Sequence, residues 1–177
     1  MSAVPAQKFR EIVFQAMYSL HIVYGNGPDI IAMLAKELGI VKSSVTEAYE
    51  QAQVILLKVP DLDKMIASAA HSYSIERISI TEKNILRLAL YELFFDDNIP
   101  PKVAISEAVR LTRKFSTPQA AAFVNAVLDN LYKKSLGEPV NAQVISDTAD
   151  ALKLIEEISH EASQTHSEDK SEPVDKE

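Results

Sequence analysis

Between Ile85 and Phe95 the chain is apolar nearly all round, with Arg87 and Glu92 as its main interruptions. A helix of that character has no wet face, so it belongs in the middle of a bundle with other helices packed around it. Ser79-Ile80-Thr81-Glu82 precedes the run at capping-box spacing, which sets its start.

The rest of the chain supplies the surrounding helices. From about Pro5 to Val23, Phe9, Val13, Ala16 and Leu20 recur at helical spacing. Arg10, Phe14 and Tyr18 form a second stripe displaced about a quarter turn from it. Asn26-Gly27-Pro28 ends that segment, and a short helix over Asp29 to Leu38 stops at Gly39. Ser43 or Ser44 can cap the next helix, which carries Val45, Ala48, Ala52, Ile55 and Leu56. Pro60 interrupts it or opens a new helix near Asp61, and Ser72 to Ile78 reads as a loop. After Pro100-Pro101 an amphipathic helix runs from Lys102 to Phe115, with Ala104, Ala108, Leu111 and Phe115 inward. Its other face gathers Lys102, Arg110, Arg113 and Lys114 with a single acid, Glu107. Thr117-Pro118 is a cap followed by proline at the first helical position. The helix it opens runs to about Lys134, burying Ala121, Val124, Leu128 and Leu131. No strand pattern and no solenoid repeat is present, and the fold class is all-α.

Past Gly137 the composition shifts. Residues 137–177 carry 3 cations and 11 anions, so the net charge of −7 is the sum of a tail at −8 and a body at +1. The expected organisation is a helical domain over 1–136 and an acidic extension over 137–177. In the extension Val144, Ala151, Ile155, Ile158 and Ala162 fall on one side of a helix over 144–162. From Ser163 the polar, acidic composition is that of a disordered segment. A near-neutral body still admits nucleic-acid binding, because local patches set the field that a phosphate meets.

Several chemistries find no support. There are no cysteines, which removes disulfides, Cys-type zinc sites and thiol catalysis. His21, His71, His160 and His166 stand apart, with no metal-ligand spacing between them. Four scattered glycines cannot form a phosphate loop. Asp96-Asp97 lies between a helix and a turn, where carboxylates solvate a loop. No stretch approaches a membrane span and the N-terminus lacks a signal-peptide pattern, so the expected setting is soluble and cytoplasmic.

Four runs occur together in order: T-E-K-N-I-L-R-L-A-L-Y-E-L (81–93), I-P-P-K-V-A-I-S-E-A-V-R-L (99–111), K-F (114–115) and F-V-N-A-V-L-D (123–129). With R-E-I-V-F-Q-A-M-Y-S (10–19), they resemble the NusB family over about residues 8 to 134. The resemblance implies a compact bundle of two packed helical subdomains and a transcription antitermination factor that is not an enzyme and needs no cofactor. It implies binding of boxA-like single-stranded RNA in ribosomal RNA leader transcripts together with NusE, a small-subunit ribosomal protein, within the antitermination complex of RNA polymerase. The implied RNA contacts are Lys8, Arg10, Gln15, Lys83, Arg87, Lys114, Phe123 and Asn125. Tyr18 and Glu82 match family contacts to NusE. The family's N-terminal arginine cluster is thinned to Lys8 and Arg10, with Ala6 and Gln7 where basic residues are typical. Ser116 and Ala126 stand where the family usually has glycine.

Each site has a plainer reading beside it. Lys8, Arg10, Phe14 and Tyr18 are a basic–aromatic RNA surface or a solvated face with half-buried aromatics. Phe123 is a stacking plate or ordinary helix packing, and Asn125 a base contact or a surface amide. Arg87, on an otherwise apolar helix, needs either an internal carboxylate or RNA. The alternative function is a protein-interaction scaffold, homodimeric in one form, with little direct RNA binding.

Overall fold

The computed structural model describes residues 4–22, 26–70 and 73–168. Eight α-helices and one 3-10 turn account for its regular structure, and no strand occurs among the described residues. The helices are α1 (Ala6–Ile22), α2 (Gly27–Leu38), α3 (Lys42–Leu57), α4 (Val59–Ala69), α5 (Ile80–Phe95), α6 (Pro101–Phe115), α7 (Pro118–Ser135) and α8 (Ala142–Glu168). None is long and apolar enough to cross a membrane.

The apolar run at 85–95 forms the last eleven of the 16 residues of α5, which is the centre of the bundle. It packs against α1 and α3 on one side and α4, α6 and α7 on the other. Helices α1–α3 make one group and α4–α7 a second, so the two expected subdomains meet along α5. Ile85, Leu86 and Leu90 have no solvent exposure. Each such side chain contributes roughly 1.5–3 kcal/mol by leaving water.

Local chemistry sets most helix ends. Gly39 takes φ 64°, and its N–H donates to the Ala35 carbonyl, closing α2 in the left-handed conformation that glycine adopts without strain. Thr117 Oγ1 accepts from the Ala120 N–H at 3.1 Å, with Pro118 in the first turn. Pro60 opens α4 rather than ending a longer helix. Two starts differ from expectation. Helix α2 begins at Gly27, because Asn26 supplies the cap by accepting from the Asp29 N–H at 3.0 Å. A Cβ at Gly27 would stand 2.8 Å from the Tyr49 hydroxyl, so the close crossing with α3 requires glycine there. Helix α3 starts at Lys42 after Val41, with no side-chain cap, so neither Ser43 nor Ser44 serves as one.

Helix α8 runs beyond the expected 144–162 at both ends, since no glycine or proline intervenes from Ala142 until Pro173. It lies along α7, with Ile145, Ala149 and Leu152 buried. The segment from Ser163 expected to be disordered is helical as far as Glu168. Its remainder, 169–177, lies outside the described residues, as do Val23 at the expected end of α1 and Ser72 at the start of the expected loop.

Candidate functional site

The N-terminal turns of α1 meet α6 through a network of charges. Glu11 of α1 is buried, and its carboxylate accepts from Arg110 Nη1 and from Lys114 Nζ, each at 2.7 Å. Lys8 Nζ stands 3.5 Å from the same carboxylate. Glu107, one turn before Arg110, accepts from Arg110 at 2.9 Å and from the Gln7 amide at 3.1 Å. Arg10 turns inward, donating from Nε to Glu92 of α5 at 2.7 Å, with Nη1 3.9 Å from Glu107. Spacings of three and four residues put these groups on facing sides of their helices.

The network is asymmetric. Its three carboxylates are 5–7% exposed, while the side chains of Lys8, Arg110 and Lys114 remain 37%, 30% and 48% exposed. Buried acids therefore hold cations whose heads face water, and the surface formed is cationic although the network is nearly balanced. Burial pushes the Glu11 carboxyl up, but the hydrogen bonds and charges of Lys114 and Arg110 together hold it below the usual carboxylate range. Burial dominates at Glu92, raising its carboxyl, with Arg10 opposing and Asp96 and Glu107 adding to the rise.

The direction at Glu11 fixes a pH dependence. A carboxyl lowered by folding adds stability above its ordinary value of 4.5, and that stability disappears as pH falls through the lowered value. Glu11→Gln is expected to cost about 1.5–3 kcal/mol at pH 7, the worth of hydrogen bonds to a charged group. Denaturant titrations at pH 7 and pH 3 should show the gap to wild type narrowing on acidification. A gap that widens instead would place the lost interaction elsewhere.

The expected contact residues divide into three settings. Lys8, Arg10 and Lys114 come together in the network. Gln15 is half-buried farther along α1, where Phe14 lies beneath the surface and its ring centroid is 4.8 Å from that of Phe115. Tyr18, 36% exposed, stands beside Phe14 at 6.3 Å and is open to a partner. Lys83 is half-buried at the start of α5, and Asn125 is exposed on α7.

Four expected contacts lie buried here, each against partners within the chain. Phe123 is fully buried and meets Tyr73 edge-on at 5.6 Å, so in this structure it packs the core. Arg87 is 7% exposed and forms a two-pronged pair with Asp63 at 2.8 Å for each bond, so an internal carboxylate is its partner. Arg10 is likewise committed inward, to Glu92. Glu82 is 4% exposed, and its carboxylate accepts from the hydroxyls of Ser79 and Ser116, which ties α5 to the α6–α7 corner. Ser79 donates to Glu82 rather than capping the backbone, so only the spacing of a capping box is present. Sequence reasoning gave Glu11, Glu92 and Glu107 no role in a site. The three-residue spacing of Lys8 to Glu11 and of Glu107 to Arg110 is the local signal for two of them, and Glu92, paired with Arg10 from another helix, has none.

Fold and site together define an all-α, two-subdomain protein with a cationic helical junction between α1 and α6. A family model described as the NusB family matches residues 7–133, and the chain belongs to that family of antitermination proteins, which are not enzymes. It is 34% identical over 131 residues to the transcription antitermination protein NusB of Chlamydia pneumoniae, spanning 74% of this chain and 82% of that one. It is 34% identical over 125 residues to NusB of Desulforudis audaxviator, spanning 71% and 91%. Among solved structures, T. maritima NusB matches with a TM-score of 0.63 and 27% identity, covering 75% of this chain and 94% of that one. A complex of the antitermination factors NusB and NusE with double-stranded RNA matches with a TM-score of 0.61 and 26% identity, covering 72% and 96%. Helix α8 lies past the residues that the family model matches.

Proposed function

We propose that this chain binds boxA-like single-stranded RNA of ribosomal RNA leader transcripts jointly with NusE, in the cytoplasm, as part of the antitermination complex on RNA polymerase. The observation that carries this reading is the set of exposed cationic heads held around buried Glu11 in a NusB-family chain. Lys8, Lys114 and Lys83 supply phosphate contacts, which set affinity, while Gln15 and Asn125 supply base contacts, which set sequence preference. Tyr18 contributes to the NusE surface. Residues 1–136 form the binding domain and 137–177 an acidic extension to it.

The test is a titration of labelled boxA RNA with the protein alone and with NusE, at two salt concentrations. Tight, salt-sensitive and sequence-selective binding that improves with NusE supports the reading. Lys114→Ala is expected to weaken binding to all RNA sequences alike and to reduce the slope of log affinity against log salt by roughly 0.7, the value for one phosphate on a single strand. Asn125→Ala should leave that slope unchanged and narrow the difference between boxA and a scrambled sequence.

The inward commitment of Arg10 and Arg87 favours a second reading, a protein-interaction scaffold, homodimeric in one form, with little direct RNA binding. NusE binding without RNA joining, even at low salt, selects it.

A further inference from the structure

A cleft of about 540 Å³ opens between α1, α3 and the last turns of α5, a size typical of small-molecule sites. Helical spacing builds it. Phe9 and Val13 of α1 are four residues apart, and Ser44, Glu47 and Gln51 of α3 are three and four apart. Leu88 and Glu92 of α5 follow the same four-residue step, which Asp96 continues just past the helix end. Ile99, in the turn before α6, joins Phe9, Val13 and Leu88 in the apolar lining. The cleft is distinct from the α1–α6 junction, because Phe9 and Val13 lie on another face of α1 from Lys8 and Glu11.

The charges of this lining do not balance. Its cation is Arg10, and its acids are Glu47, Glu92 and Asp96. Arg10 is already engaged, donating from Nε to Glu92 Oε1 at 2.7 Å, with Nη1 3.9 Å from Glu107. No other hydrogen bond reaches the Glu92 carboxylate among the described residues, so Oε2 accepts none although Glu92 is 6% exposed. Oε2 is still reachable from solvent, since Asn84 Nδ2 is the one fully enclosed side-chain atom without a partner among the described residues. Glu47 is exposed and Asp96 half-buried, and neither enters an ion pair among the described residues. Asp96 Oδ1 accepts from the Asn98 N–H and side-chain amide, each at 3.0 Å, which leaves its charge unmatched. The field at Glu92 stays negative even with Arg10 in contact: burial raises its carboxyl most, and Asp96 and Glu107 add to the rise.

We propose that this cleft binds a protonated aliphatic amine, its ammonium against Glu92 and Asp96 and its chain along Phe9, Val13, Leu88 and Ile99. An ammonium brings three N–H donors and one positive charge, which supplies Glu92 Oε2 with a donor and offsets the excess of acid. A carboxylate or phosphate would add an anion beside three others, and a neutral apolar molecule would enclose Oε2 without a partner, which is costly. Among the described residues no three acids come close enough together to hold a metal ion, so an organic cation with an apolar body fits the lining better than a bare ion. Glu47, nearer solvent, extends the negative field toward the opening and favours entry of a cation. The same chemistry is offered by a free amine and by a lysine side chain of another protein. The inference is independent of the RNA-binding reading.

The test is a titration of the full isotope-labelled chain with hexylammonium, hexanol and hexanoate, followed by the backbone amide signals. Hexylammonium should move the signals of Phe9, Val13, Leu88 and Glu92 with a Kd on the order of a millimolar, as suits a ligand of about seven heavy atoms. Hexanol should bind the same residues about fivefold more weakly, and hexanoate more weakly still. A double variant, Glu47→Gln with Asp96→Asn, breaks no ion pair and keeps the Oδ1 that accepts from Asn98, so its fold is retained. It should weaken hexylammonium about fivefold and leave hexanol unchanged, the size expected for two partly exposed charge contacts. Nα-acetyl-lysine methylamide separates the two sources: tighter binding than hexylammonium assigns the cleft to a lysine side chain, and weaker binding to a free amine. Equal affinity for hexanol and hexylammonium, or a double variant that binds hexylammonium as wild type does, overturns the choice of a cation. Signals of these four residues that stay still up to about 20 mM hexylammonium, well above a millimolar Kd, overturn the site itself.

Discussion

Arg10→Ala is expected to lower the unfolding free energy by about 3–5 kcal/mol, the loss seen when one partner of a buried ion pair is removed. The guanidinium lies between two buried carboxylates, Glu92 at 2.7 Å and Glu107 at 3.9 Å. Alanine leaves both without it. Glu92 already has its carboxyl raised by burial, and Arg10 is the main group opposing that rise, so the variant should push it higher still. A carboxyl raised by folding adds stability below its unfolded value of 4.5, and that contribution is lost as pH climbs through the folded value. The defect should therefore be largest near pH 7–8 and shrink as pH falls toward 5. Adding Glu92→Gln to Arg10→Ala should recover much of the loss, because the stranded charge is then gone. Urea unfolding of the two variants across that pH range checks both claims. A cost under about 1 kcal/mol, flat in pH, would mean that Arg10 faces solvent and is available to phosphate, as the family resemblance first suggested.

The contrast between Arg10 and α5 shows what this sequence discloses. Helix α5 was legible because its apolar character is local, carried by consecutive residues. The stop at Gly39 and the start at Thr117-Pro118 were legible for the same reason: each depends on one residue's backbone preference or one short hydrogen bond. The direction in which Arg10 points depends on Glu92 and Glu107, on two other helices, and no pattern within α1 records it. A basic residue near a helix start reads alike whether it meets water or a buried acid. Arg87 was a partial case, since its apolar neighbours demanded a partner but could not say that Asp63 of α4 would be it. Glu82 looked like half of a capping box, yet Ser116, which reaches it from the far end of α6, gives it its burial. The cationic face of α6 was visible as a stripe. What turns it into a held cluster is Glu11, a residue of another helix that no feature of α6 announces.

Phe123→Ala is expected to cost about 3–5 kcal/mol, the usual toll of removing a fully buried aromatic side chain. The residue lies off the main apolar stripe of α7, which is why a stacking role seemed open. That stripe alone describes a helix with one buried face. Helix α7 has more than one, because α6, α5 and α4 cover it on one side while α8 and Tyr73 cover it on another. Part of that second cover, α8, belongs to the extension beyond residue 137, and the side chain that meets Phe123 itself is Tyr73, just after α4. Phe123→Leu separates packing from stacking, since it keeps an apolar side chain in the core at a cost of about 1–2 kcal/mol and leaves the protein folded. RNA affinity of Phe123→Leu should equal that of wild type. Loss of an aromatic face that stacks on a base would instead weaken binding by about 1–3 kcal/mol, at least fivefold. Such a loss in folded Phe123→Leu would require Tyr73 to move aside when RNA binds, and would move the RNA surface from the α1–α6 junction to the face of α7 that Tyr73 covers.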